Sequence, residues 1–443
     1  MDGLIVILQV LVVLGSIVMG VRMGGMGLGV WGAVGVAVLV FVFRLAPGEP
    51  PISAILIILA VITAAATMEA AGGIDYLVTI AAKIIRKNPK QVTLIAPLVS
   101  YAFVVGAGTG NVFFPLIPVI YEVSHNAGIR PERPLGVSVI ASGLGITSSP
   151  VSAAMAAMIA LTASKGIGLN QILAITVPSS IIALVVASIV SMRLGKDLKD
   201  DPVYQQRIEA GLVKAPKPLS ERGVDEVLPA SAKRSALIFL TGVVFVVLIG
   251  AAPSLGILPE GADMTIAIQL IMWTSALVIL LTGGTKASSV VKQPVFAAGM
   301  VALVALFGIA WLANTFIAAH LEQIVSVMGN AVAAVPLAFA LALFAVAALT
   351  TSQSATTNTV VPMGLAIGTL GVGSIVAMWQ ALAGVFFLPA NGPQLAAVEL
   401  DLTGSTRIGK YVLNHSFMIP LLVCTVVSVG VGMLLAAVFG FNG

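Results

Sequence analysis

Residues 350–359 read TTSQSATTNT, a polar run broken only by Ala355, between apolar segments that end at Leu349 and resume at Val360. A second interruption, GAGTGN at 106–111, places three glycines within five residues of another apolar block. Glycine is a poor helix former, and lipid offers no partner to backbone groups that leave a helix. Both segments therefore predict helices that break at membrane depth and line a polar cavity.

The composition indicates a membrane protein. The 443 residues are 59% hydrophobic and 9% charged, whereas a soluble chain carries about 25% charged residues. The single cysteine excludes a disulfide framework within one chain and a multi-cysteine metal site. The sequence has no cluster of Lys and Arg residues with interleaved aromatic residues, so it gives no indication of nucleic-acid binding. The first apolar run, from Gly3, lacks a basic leader, so we expect a retained helix.

Spans of about 20 apolar residues organise the chain. They are expected near 3–21, 27–45, 53–73, 135–163, 170–192, 235–252, 264–283, 294–318, 374–398 and 411–440. Two longer blocks, 92–124 and 331–367, are interrupted near their middles and predict re-entrant hairpins. The domains are then an N-terminal membrane repeat (1–192), a linker (193–234) and a C-terminal membrane repeat (235–443).

The linker 193–234 contains nine Lys and Arg residues. The positive-inside rule places it in the cytoplasm and both termini in the periplasm of a bacterial inner membrane. Within it, Asp200–Val213 predicts a short helix capped by Asp201, with Pro202 in the first turn. The two halves then have opposite orientations, and two inverted-topology repeats with broken helices are typical of secondary transporters.

Two further breaks occupy matching places in the two halves. TSSPVS at 147–152 and LPANGPQ at 388–394 each put proline inside a predicted span, where it removes a helix hydrogen bond. A simple proline kink, a tight glycine turn, or hydroxyls bonded to their own helix would explain each break without a ligand. Because the breaks are paired, we predict a midplane site formed by Gly108, Thr109, Gly110, Asn111, Thr147, Ser148, Ser149, Pro150, Ser352, Gln353, Ser354, Thr356, Thr357, Asn358, Asn391, Gly392 and Pro393.

Several longer stretches carry a family resemblance. They are AGGIDYLV (71–78), KNPKQVTLIAPLVSY (87–101), AGTGN (107–111), GIRPERPL (128–135), SSPVSAA (148–154), DDPVYQQRIEAGLV (200–213) and DLTGSTRIGKYVLNHSF (401–417). Together they resemble the anaerobic C4-dicarboxylate transporters of the Dcu family. The resemblance implies exchange of small dicarboxylates such as fumarate, succinate, malate or aspartate across the inner membrane.

The predicted function is therefore secondary transport by an elevator-like step of an all-α polytopic protein, expected as a homodimer in the lipid bilayer. The sequence contains no P-loop. It also contains no recognisable pair of nucleophile and base that would indicate an enzyme. We predict no cofactor and no metal centre, and Na⁺ stays open as a coupling ion. The alternatives are a Na⁺- or H⁺-coupled transporter of another small organic anion, a channel, a membrane enzyme, or a sensor acting through 193–234 or 399–410.

Overall fold

The computed structural model describes residues 2–23, 25–213, 228–251, 264–389, 391–408 and 414–441, and these residues form helices and loops with no strand. The helices are α1 (Asp2–Met23), α2 (Gly27–Ala37), α3 (Ile52–Ala70), α4 (Gly73–Lys87), α5 (Val92–Ala107), α6 (Leu116–Asn126), α7 (Glu132–Thr147), α8 (Ala153–Thr162), α9 (Leu169–Ser191), α10 (Pro202–Glu209), α11 (Ala230–Ala251), α12 (Met264–Gly283), α13 (Ala287–Val290), α14 (Pro294–Ala334), α15 (Ala338–Thr350), α16 (Gln353–Ile367), α17 (Val372–Met378), α18 (Gly392–Leu400) and α19 (Met418–Val438).

Six helical segments of the described residues are long and apolar enough to cross a membrane. They are Pro89–Ala107, Leu169–Ser191, Ala230–Ile249, Thr265–Gly283, Pro294–His320 and Met418–Val438. Shorter apolar helices, including α1, α2, α8 and α15, accompany them. The predicted class, an all-α polytopic membrane protein, is confirmed.

The predicted third span, 53–73, differs from the structure. Helix α3 ends at Ala70, and the chain turns by 75° before α4 begins at Gly73. Gly72 has φ +81, a left-handed conformation that glycine adopts without steric cost, and it permits the sharp turn. Helix α4 is amphipathic, with Asp75 in its first turn and Arg86 and Lys87 in its last, and it was not predicted as a separate helix.

Two other helix boundaries also differ from those predicted. Helix α14 extends well beyond the predicted end at 318, with a kink at His320, whose Nε2 lies 2.7 Å from Gln9 Oε1 on α1. The second hairpin therefore occupies 338–367 rather than the whole block 331–367. Helix α19 begins at Met418, and residues 411–413 of the predicted last span lie outside the described residues.

Both interrupted blocks fold back on themselves. Arg86 at the end of α4 pairs with Glu122 at the end of α6 (3.3 Å), so α6 returns to the side from which α5 starts. In the second block, Phe339 near the start of α15 packs against Gly364 near the end of α16. The order third helix, hairpin, interrupted helix, last helix occurs in both halves. The inverted orientation of the two halves stays a prediction.

The linker is anchored at one end of the helix bundle. Helix α10 begins after Asp201, whose carboxylate accepts a hydrogen bond from the Val203 amide (2.8 Å), as the sequence predicts. The same carboxylate pairs with Arg130, which also pairs with Glu132 (2.5 Å). Glu132 in turn accepts a hydrogen bond from Ser416 (2.6 Å). Three of the resemblance stretches thus meet in one ion-pair network.

A second contact extends this network. His125, at the end of α6, lies 3.0 Å from the Tyr204 hydroxyl on α10. Burial lowers the pKa of the His125 imidazole, so the ring is neutral near pH 7. The ends of α4 and α6 and the start of the linker therefore lie at one end of the molecule, and the compartment that this end faces stays a prediction.

Candidate functional site at the hairpin tips

The first hairpin tip turns through glycine. Helix α5 ends at Ala107, and Gly108 adopts φ +71. Thr109 is extended, and its Oγ1 accepts a hydrogen bond from the Asn111 amide (3.3 Å), which starts a short 3-10 helix, Gly110–Phe113. The tip therefore presents the N-terminal end of this helix, with backbone N–H groups toward the turn.

The first broken span packs directly on that tip. Helix α7 ends at Thr147 and α8 begins at Ala153, after the Ser152 hydroxyl accepts a hydrogen bond from the Met155 amide (3.1 Å). Ser149 Oγ, in the break, donates to the Val105 carbonyl of α5 (2.7 Å). A Cβ on Gly108 would lie 2.7 Å from the Val151 carbonyl oxygen. The tip and the break thus form one unit in which only glycine fits at 108.

The second hairpin tip turns through a non-glycine residue. Thr351 adopts φ +51, in the left-handed region that residues with a Cβ rarely occupy. Ser352 follows in an extended conformation, and its hydroxyl caps α16 by accepting from the Ala355 amide (3.3 Å). Gln353 Nε2 donates to the Gly143 carbonyl of α7 (3.1 Å). The second tip is therefore attached to the first broken span.

The rest of the polar run bonds to its own helix. Thr356, Thr357 and Thr359 donate their hydroxyls, and Asn358 its amide, to carbonyls four residues earlier (2.7–2.8 Å). Thr357 also accepts a hydrogen bond from Trp379 Nε1 (2.8 Å). All three hydroxyls from 356 to 359 are thus satisfied within the helix, as in the alternative in which hydroxyls bond to their own helix.

The second broken span is also interrupted as predicted. Helix α17 passes into a 3-10 helix, Trp379–Phe386, and α18 begins at Gly392. The Gln394 side chain accepts from the Asn391 amide (3.3 Å) and donates to the Phe386 carbonyl (2.8 Å). Gly392 faces the Phe114 ring of the first hairpin. This break therefore contacts the hairpin, but Asn391, Gly392 and Pro393 do not line the cavity between the tips.

A cavity of about 180 Å³ lies where the two tips and the first break meet. Its lining comprises Gly108–Asn111, residues beside the first break, Ser354, and apolar residues of α3 and α14: Ile58, Val61, Ile62, Ala65, Ala107, Gly108, Thr109, Gly110, Asn111, Ile146, Val151, Ala153, Val295, Ala298, Gly299 and Ser354. None of these lining residues is charged. The sequence pattern did not predict that α3 and α14 line the cavity, because their lining residues are wholly apolar.

Three helix N-termini reach the cavity. Gly110 and Asn111 open the 3-10 helix, Ala153 opens α8, and Ser354 is the second residue of α16. Helix N-termini carry partial positive charge and free N–H groups, so they favour anions without any Arg or Lys. The cavity is therefore suited to a small anion that also has an apolar surface.

Thr147 and Ser148 face away from this cavity, into a buried polar cluster. Thr147 Oγ1 donates to Gln380 Oε1 (2.8 Å), and Ser148 Oγ lies 3.2 Å from Ser180 Oγ on α9. Gln380, fully buried in the 3-10 helix Trp379–Phe386, donates to the Thr176 carbonyl (3.0 Å). Sequence reasoning missed Gln380 because it is a single polar residue inside an apolar span.

Comparisons with known proteins agree with this architecture. A family model described as an anaerobic C4-dicarboxylate membrane transporter matches residues 5–440. The chain is 38% identical to the anaerobic C4-dicarboxylate transporter DcuB of Escherichia coli O6:H1, over 98% of this chain and 99% of that one. It is also 38% identical to the C4-dicarboxylate transporter DcuA of Wolinella succinogenes, with the same coverage.

Two solved structures share the fold at low identity. The Neisseria gonorrhoeae MtrF structure, described as illuminating a class of antimetabolite efflux pumps, matches with a TM-score of 0.53 and 14% identity, over 91% of this chain and 84% of that one. The Alcanivorax borkumensis YdaH transporter matches with a TM-score of 0.52 and 14% identity, over 87% and 85%. Since the family model spans nearly the whole chain, this protein belongs to the anaerobic C4-dicarboxylate membrane transporter family, as the sequence motifs predict.

Proposed function

We propose that the cavity between the hairpin tips binds one C4-dicarboxylate, such as fumarate, succinate, malate or aspartate, and that the protein exchanges one such dicarboxylate for another across the inner membrane. The observation that carries the proposal is the convergence of three helix N-termini on one uncharged cavity. Two carboxylates need two electropositive ends, and the tips supply them from opposite halves of the chain.

The apolar wall gives this site its selectivity for a short carbon chain. Ile62 and Ala65 of α3 and Val295 of α14 lie opposite the tips. They offer contacts to the methylene or vinyl carbons between the two carboxylates. A dianion held by dipoles rather than by a buried arginine also leaves without breaking an ion pair, which suits rapid exchange.

The same wall suggests how access alternates. The tips, α7 and α8 form one hydrogen-bonded unit through Ser149 and Gln353, whereas α3 and α14 meet the cavity through apolar residues. Gly299 packs against Ile62 at their contact. A polar unit that moves as a rigid body along an apolar surface breaks few hydrogen bonds. We therefore favour an elevator-like movement of the hairpin unit against α3 and α14.

Exchange in proteoliposomes tests the function. Vesicles loaded with unlabelled succinate should take up labelled succinate, and empty vesicles should take up far less. Asn111→Ala should raise the KM for succinate, because it removes an amide at the cavity. Asn126→Ala, at the other end of the same hairpin, is the matched control and should exchange normally.

Absence of exchange with every C4-dicarboxylate would refute the substrate assignment. Net uptake into empty vesicles that depends on a Na⁺ or H⁺ gradient would instead favour the coupled-transporter alternative. Equal KM values for Asn111→Ala and Asn126→Ala would move the binding site away from the first tip.

A further inference from the structure

Three packed helices share buried hydroxyls without protein partners. Among the described residues, eight buried side-chain oxygens make no direct hydrogen bond within the protein, and six of them lie on α5, α7 and α9. These helices pack against one another. Because buried polar groups in a membrane protein need partners, a place where such an oxygen lies beside other hydroxyls is a candidate ligand site.

Two of these oxygens belong to residues that lie beside Ser148, at the C-terminal end of α7: Tyr101, and Thr176, whose carbonyl lies 3.4 Å from Ser148 Oγ. The Tyr101 phenol of α5 lies beside the hydroxyls of Ser148 and Ser180 but bonds directly to neither. Thr176 Oγ1 of α9 is also without a partner, although the Thr176 carbonyl accepts from Gln380. Tyr101 is 5% exposed and Thr176 fully buried, so bulk water does not reach them.

The chemistry of this cluster fits a cation rather than an anion. Its polar atoms are hydroxyl and carbonyl oxygens together with the Gln380 amide, whose Nε2 donates to the Thr176 carbonyl and to Ser180 Oγ (3.0 Å each). The cluster lies where α7 ends at Thr147. The C-terminal end of a helix carries partial negative charge and unpaired carbonyls, which are the groups that hold Na⁺ at broken helices of transporters. With no carboxylate among these residues, a divalent ion would lack charge compensation, so a monovalent ion is favoured.

We propose that Tyr101, Ser148, Thr176 and Ser180 bind a Na⁺ ion at the break between α7 and α8. Ser148 is adjacent to Ser149, which fixes the first hairpin tip through the Val105 carbonyl. Ion binding therefore orders the break that shapes the cavity, and by linkage Na⁺ and the dicarboxylate raise each other's affinity. Only this coupling rests on the proposed function; the ion site does not.

Thermal unfolding of the purified protein tests the site without any dicarboxylate. The melting temperature should be higher in NaCl than in choline chloride at equal ionic strength, because an ion that binds only the native state stabilises it. Tyr101→Phe and Thr176→Val remove hydroxyls that have no protein partner, so both should fold and melt normally in choline chloride. In both variants, the Na⁺ concentration that gives half of the maximal rise in melting temperature should increase about tenfold, because one oxygen that coordinates the ion is lost.

Ser188→Ala is the matched control. It removes another buried, unpartnered hydroxyl of α9, about 18 Å from Thr176 along the helix axis. The control should retain the full response to Na⁺. Equal melting temperatures in Na⁺ and choline would overturn the proposal, and so would an unchanged response in Tyr101→Phe and Thr176→Val. A response lost only in those two variants supports the ion site whether or not the vesicles exchange succinate.

Discussion

The two hairpin tips make similar turns with different residues. Each has a left-handed residue, then an extended hydroxyl residue that caps the next helix: Gly108 and Thr109 in the first tip, Thr351 and Ser352 in the second. Gly108 is pressed against the Val151 carbonyl, whereas Thr351 is exposed and keeps its Cβ. The first tip is therefore constrained by packing at its left-handed residue, and the second by hydrogen bonds, namely its cap and the bond from Gln353 to α7.

The tips also differ in where their polar groups point. The glycine-rich tip is poorer in side-chain donors, yet four consecutive residues, Gly108–Asn111, line the cavity. The hydroxyl-rich run contributes only Ser354, while Thr356, Thr357 and Thr359 bond to their own helix. Backbone exposure, more than side-chain polarity, marks the residues that face a ligand.

The largest expected effect of a single substitution is at Gly108. Gly108→Ala places a methyl 2.7 Å from the Val151 oxygen and imposes an unfavourable positive φ. We expect a loss of about 3 kcal/mol in the free energy of unfolding and no succinate exchange. Gly166→Ala separates the two causes, because Gly166 has φ +78 with nothing within 4 Å. It should cost only about 1 kcal/mol and leave exchange intact. Equal losses in both variants would mean that the tip is not held by the break.

A smaller effect is expected in the second hairpin, at Thr357. Thr357→Val leaves the buried Trp379 N–H without an acceptor, at a cost of about 2 kcal/mol in unfolding free energy. Thr359→Val removes only a hydroxyl that bonds to its own helix and should be nearly neutral. Denaturation of both variants measures the difference. If Thr359→Val instead raises the KM for succinate while Thr357→Val does not, the run binds substrate beyond Ser354.

The smallest effect is a gain at Thr351. Thr351→Gly relieves the left-handed strain and should raise the unfolding free energy by about 0.5 kcal/mol, after the entropy cost of glycine. Thr351→Ala keeps the strain and loses the hydrogen bond to the Thr350 carbonyl, so it should show no gain. A loss of stability in Thr351→Gly would show that the Thr351 side chain, like the packing at Gly108, holds its tip.

The sequence predicted features that have a strong local signal. Breaks at Gly108, Pro150 and the 388–394 segment, and the Asp201 helix cap, follow from residue types that stop or start helices. The end of α14 was not predicted, because apolar sequence continues past it. The separate α4 was not predicted, because it is amphipathic and lacks the long apolar run of a membrane span. The direction of each side chain could not be predicted from the sequence either. A threonine that bonds to its own helix and a threonine that faces a ligand look the same in the sequence.

The most direct test of the binding cavity uses its one hydroxyl from the second hairpin. The only cysteine, Cys424, is fully buried, so Ser354→Cys adds a single thiol at the cavity. Its labelling by a small charged methanethiosulfonate should be slowed by succinate, whereas labelling of the exposed Ser288→Cys on α13 should be unaffected. The same labelling rate at Ser354→Cys with and without succinate would contradict dicarboxylate binding between the tips.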